Sequence, residues 1–230
     1  KGLSPEEKGA MERAELSEDE AQLWASVGID CPKVAWGWKP RHVSPDEAGH
    51  WHDAGFLPNE ADALRDKTLG VEDVPLTRDE RREARSLGLP LNRAYWFKCD
   101  GGISVAQAAE WADLPFKPNP SIAAAWIREG FSPREATAWW EDARISDAAK
   151  AADWRAAEFD PQSVVPWSQP GFTAESAGLL RNLGLTPTDD ASRRLRGREA
   201  HWLERDIPLA EAVPWARAGY GPRDAAQWRQ

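Results

Sequence analysis

Ser44-Pro45-Asp46-Glu47-Ala48-Gly49-His50-Trp51-His52-Asp53-Ala54-Gly55-Phe56 is one short helix written out from cap to cap. Ser44 supplies a side-chain oxygen for the unpaired amides of a first helical turn, which makes it an N-cap. Pro45 follows with a preset φ and lacks only an N–H that would be unpaired anyway. Glu47, three residues after the serine, completes a capping box and puts negative charge at the positive end of the helix dipole. Counting Ser44 as position 0, positions 4, 7, 8 and 11 share one face. Ala48 therefore allows a neighbouring helix close, and Trp51 fills the gap beside it. Gly55 suits a left-handed C-terminal cap, with Phe56 folding back onto the helix.

The same template recurs along the chain, in Asn119–Phe131, Asp160–Phe172 and Leu16–Ile29 among others. Units begin at Ser4, Ser17, Cys31, Ser44, Leu57, Thr77, Leu89, Ser104, Asn119, Ser132, Asp147, Asp160, Thr173, Thr186, Leu195, Pro208 and Gly221. Twelve of these seventeen carry tryptophan at position 7, which accounts for all but Trp36 and Trp140 of the 14 tryptophans. Helices this short are not stable alone, because nucleation is costly. Stability has to come from stacking, so the fold expected is all-α, a tandem array of single-helix repeats stacked as an αα-solenoid or superhelix. The pattern resembles α-solenoid arrays such as the tetratricopeptide and armadillo classes. Their units are about two to three times longer, and their signature residues are absent here.

The register fails at three places. A longer step crosses Thr68–Leu76, a glycine pair interrupts it at Cys99–Gly102, and the unit between Thr186 and Leu195 is shortened. The organisation read from this is N-terminal repeats with a polar cap unit over 1–69, an irregular linker or bend over 70–76, and further repeats over 77–230. The last unit leaves Ala225, Ala226 and Trp228 uncovered, so the chain reads as a fragment whose C-terminal end is covered by further repeats or another subunit.

Several function classes find no support in the residues. No apolar run approaches the roughly 20 residues of a membrane span, and no secretory leader is evident. Cys31 and Cys99 form no disulfide framework or metal-ligand pair, which favours the cytoplasm. His50 and His52 sit two apart on a helix and point in different directions, while His42 and His201 are isolated, so no metal site is expected. Phosphate-binding and nucleophile motifs are missing, and no cofactor and no catalytic residues are expected. The net charge of −9 is explained in good part by nine acids at position 3, Glu7, Glu20, Glu47, Glu60, Glu80, Glu135, Asp189, Glu211 and Asp224, which act as caps. Much alanine, arginine and tryptophan with little lysine points to a GC-rich bacterial genome.

What remains is a non-enzymatic scaffold that binds a protein or peptide through exposed positions that vary between units. The alternative is a nucleic-acid-binding repeat protein, which would need a basic residue recurring at a fixed exposed position. Position 9 shows no constant sign. Two arginine clusters keep that alternative open: Arg78, Arg81, Arg82, Arg85 and Arg93, then Arg181, Arg193, Arg194, Arg196 and Arg198. These arginines, with the off-template Trp36 and Trp140, are the candidate partner-binding residues.

Overall fold

A computed structural model of the protein describes residues 16–67 and 69–228. The polar first unit with Ser4, Pro5, Glu7 and Met11 lies outside the described residues, as do Thr68, Arg229 and Gln230. The described residues hold helices and no strand. The chain divides into two compact units. The first reaches Asp113 and takes in Lys117–Ala124. It contains α1 (Glu18–Ser26), α2 (Pro32–Trp38), α3 (Pro45–Asp53), α4 (Pro58–Arg65), α5 (Arg78–Ser86), α6 (Leu91–Gly101), α7 (Val105–Ala112) and the start of α8 (Pro120–Arg128). The second, Leu114–Phe116 and Ala125 onward, holds the rest of α8 and then α9 (Pro133–Glu141), α10 (Ala148–Ala156), α11 (Val165–Ser168) and α12 (Ala174–Asn182). It continues with α13 (Asp190–Leu195), α14 (Glu199–Leu203), α15 (Leu209–Arg217) and α16 (Pro222–Trp228).

Many of the helices are delimited as the template requires, while Cys31, Pro90, Val164, Asp189, Arg198 and Pro208 open theirs without a side-chain cap bond. Ser17, Thr77, Ser104 and Ser132 accept from the amide three residues on, and that residue's side chain accepts from the cap's own N–H. At the other end Gly28, Gly55, Gly130, Gly171 and Gly219 have positive φ, and the amide at position 12 donates back to the carbonyl at position 7, as Phe56 does to Trp51 at 2.9 Å. This is the six-to-one bond of a Schellman turn. Among the described residues five non-glycine residues, including Glu158 (φ 62°), also occupy the left-handed region.

Packing runs mostly to the next helix and the next but one. In the first unit α1 packs on α2 and α3, α2 on α4, α4 on α6, and α5 on α6 and α7. In the second, α10 packs on α12, and α15 packs on α12, three helices back, as well as on α13, α14 and α16. Gly49 of α3 shows how close the next-but-one approach is: a Cβ there would lie 2.9 Å from the Cβ of Val27, just past α1. Nine of the twelve template tryptophans are buried: Trp24, Trp38, Trp51, Trp111, Trp126, Trp139, Trp154, Trp167 and Trp202. Trp51, Trp126, Trp139, Trp154 and Trp167 meet position-12 phenylalanines edge to face, within a unit (Trp126 and Phe131, 5.0 Å) and across to the next (Phe131 and Trp139, 6.3 Å). The indole N–H groups of Trp38, Trp126 and Trp202 have no partner, so tryptophan serves here for its bulk.

The structure moves the register in three units. α6 is capped by Pro90 rather than starting from Leu89, so position 7 is Phe97, which is buried, and Trp96 is left half-buried. The extra residue is absorbed by a left-handed Gly102, from which Ile103 N–H reaches the Phe97 carbonyl. Asp189, not Thr186, caps α13, and the Thr186 amide and hydroxyl donate to the Asp189 carboxylate. Leu195 ends that helix, buried, instead of opening the next, and Trp202 is delivered by the five-residue α14. Template tryptophans Trp215 and Trp228 are half-buried and 72% exposed, respectively.

Candidate partner-binding surface

One template position shows its purpose only in three dimensions. Among the described residues position 8 is lysine or arginine in six units, as Lys39, Arg65, Arg85, Lys98, Arg155 and Arg181. All but Lys39 reach toward the turn that joins the two preceding helices, and Lys39 reaches the start of α1. On one side stands the position-3 carboxylate of the preceding helix: Lys39 meets Glu20 at 3.1 Å, Arg65 meets Glu47 at 2.7 Å in place of the expected capping box, and Lys98 meets Glu80 at 2.6 Å. On the other side are the last carbonyls of the helix before that. Arg85 donates to Gly55 O at 2.7 Å, Arg155 to the carbonyls of Glu129 and Gly130, and Arg181 to those of Ala157 and Glu158 at 2.9 and 2.8 Å. A helix C-terminus and a capping carboxylate are both negative, so one cation neutralises both ends of the turn. Arg155 and Arg181 also lie over the rings of Phe131 and Phe159, at 3.8 and 4.2 Å from the centroids.

Glu60 is the most buried of these caps, with its side chain 2% exposed. It accepts from the amides of Leu57 (2.8 Å) and Leu91 (2.9 Å) and from both terminal nitrogens of Arg85. It thereby ties α4, α5 and the start of α6 together. Elsewhere the capping role holds carboxyls below their usual range. The Ser17 amide and then Lys39 act on Glu20, the Lys98 ammonium on Glu80, and Ser132 on Glu135. The amides of Ser163 and Thr186 do the same for Asp160 and Asp189. Burial pushes the Tyr95 hydroxyl and the Cys99 thiol up.

The arginines singled out from sequence therefore divide. Arg85 and Arg181 are position-8 cations. Arg93 donates to the Ala112 carbonyl and pairs with Asp113, and Arg194 reaches the Gly219 carbonyl. Arg82 pairs with Asp79 and Arg193 with Asp190 on the surface, three residues apart on their helices. Arg78, Arg81, Arg196 and Arg198 make no ion pair among the described residues. Trp36 is 51% exposed on α2, whereas Trp140 is half-buried and stacks on Phe116 at 4.5 Å.

Arg78, Arg81, Arg82 and Arg85 come together. Spaced i, i+3, i+4 and i+7, they form one face of α5 and line a cleft of about 510 Å³ with Asp53, Gly55 and Leu91. Another cleft, of about 550 Å³, lies between the turn after α9 and the turn before α12, over Trp154 and Phe172. Among the described residues no group of three His, Cys, Asp or Glu could hold a metal ion, and no helix is long and apolar enough to cross a membrane. Compared with known proteins, the chain matches no family model, no curated protein and no solved structure.

Proposed function

We propose that the helices stack as an αα-solenoid and that the chain is a non-enzymatic scaffold which binds a protein or peptide through the positions the template leaves free. One observation supports this reading above the rest. The recurring positions are occupied internally: caps at 0 and 3, the wedge at 7, the cation at 8, the left-handed turn at 11 and the apolar residue at 12. The positions left for a partner differ from unit to unit, as recognition of one particular protein requires. A phosphate track needs the reverse, a cation at a fixed exposed position. Here the recurring cations of position 8 are engaged by the protein's own carbonyls and carboxylates.

Two measurements test the reading. Small-angle scattering of a solenoid should give a radius of gyration clearly above the roughly 17 Å of a compact domain of this length, and a value at that figure counts against stacking. Capture from source lysate should return a protein partner after nuclease treatment, with shallow salt dependence. Steep salt loss together with nuclease sensitivity would instead favour the nucleic-acid alternative.

A further inference from the structure

Helix α5 departs from the template at the two positions that matter most for packing. Position 7, elsewhere a tryptophan or leucine in the units whose register the structure keeps, is Ala84, and position 4, elsewhere most often alanine, is Arg81. The four-arginine face of the same helix lines the cleft. The residues are placed at a cost to the helix. Arg78 sits at the first helical position, where a positive charge opposes the dipole and where α2, α3, α4, α8, α9 and α16 carry proline. Four like charges at i+3 and i+4 spacings repel one another. Neither feature helps α5 fold. Arg85 is held by Glu60 and Arg82 by Asp79, which leaves Arg78 and Arg81 as cations lining the cleft with no carboxylate partner, against Asp53 alone.

Resting on the scaffold reading above, we infer that this cleft takes an acidic segment of the protein partner, whose carboxylates pair with Arg78 and Arg81. The guanidinium fork matches a carboxylate in a bidentate manner. The arginine face runs about 10 Å along α5, the length of a few peptide residues. That is too short to follow a nucleic-acid backbone, and the net charge of −9 disfavours a long polyanion.

The test uses the full chain and a fluorescein-labelled hexaglutamate peptide at low ionic strength, read by anisotropy, with hexalysine and a short thymidine oligonucleotide as comparisons. Hexaglutamate should bind and hexalysine should not. The Arg78→Glu, Arg81→Glu double variant should weaken hexaglutamate at least about tenfold with no loss of melting temperature. Lys33→Glu with Arg128→Glu, an equal change of charge at exposed residues that do not line the cleft, should leave it nearly unchanged. The inference is overturned if the native chain does not bind the peptide, if both double variants lose it equally, or if the oligonucleotide binds more tightly. Lysate capture separates the two readings. A partner retained in full by Arg78→Glu, Arg81→Glu overturns the cleft and keeps the scaffold, whereas no capture by the native chain with hexaglutamate binding intact overturns the scaffold alone.

Discussion

Replacing Glu60 with alanine removes four acceptor contacts at one stroke. The Leu57 and Leu91 amides lose their acceptor, and Arg85 loses its carboxylate. Breaking a buried ion pair by deleting one partner typically costs about 3–5 kcal/mol, because the groups left behind are desolvated and unpaired. Arg85 moderates this, since its side chain is 37% exposed and keeps the Gly55 carbonyl at 2.7 Å. The larger share of the loss therefore falls on the buried Leu91 amide and on the α4–α6 contact, and about 3 kcal/mol is expected. Glu60→Gln keeps the volume and one acceptor but turns an amide toward donors, and should cost about half as much. Arg85→Ala leaves the carboxylate with its two backbone donors and should fall between them, so a double-mutant cycle should show strong coupling. Urea unfolding followed by far-UV circular dichroism reads all three. A loss under about 1 kcal/mol for Glu60→Ala would refute the reasoning that this carboxylate ties three helices together.

Other expectations concern the turns and the caps. Glu158 sits in the left-handed turn position with φ 62°, so Glu158→Gly should stabilise the protein by about 0.5–1 kcal/mol, while Gly130→Ala, at φ 73° with open space around it, should cost about 1–2 kcal/mol in thermal or urea melts. Because the folded state lowers the carboxyls of Glu20, Glu80, Glu135, Asp160 and Asp189, the unfolded chain binds their protons first as pH falls. Their contribution is intact above the ordinary carboxylate range, near pH 4, and is lost below it. Melting temperature should stay flat from neutral pH down to that range and then drop, and a steady decline beginning near neutrality would contradict the capping account.

Much of this architecture was legible because helix caps are local. Ser44, Pro45 and Gly55 act on their own helix, and their roles follow from spacing alone. So does the burial of Trp51 or Trp126 at position 7. Glu47, expected to close a capping box, pairs instead with Arg65 of the next helix. The position-8 cations were not legible, because their partners lie 18 to 30 residues away. A basic residue recurring one place after position 7 was the available signal, obscured because positions 7 and 8 share the face that packs. The arginine clusters were visible as clusters, but only the turn geometry separates Arg85, Arg93 and Arg181, used inside the fold, from Arg78 and Arg81. The register of α6 was misplaced because Trp96 matched the spacing from Leu89, when a proline cap and Phe97 matched the packing.

The most direct test of the account compares arginines that the sequence makes look alike. Arg155→Met and Arg181→Met each remove two carbonyl contacts and a ring contact, and each should cost about 1–2 kcal/mol in urea unfolding. Arg78→Ala and Arg81→Ala should change stability by no more than about 0.5 kcal/mol. Equal effects in the two pairs would contradict the claim that fixed template positions hold the fold and leave the variable ones free for a partner.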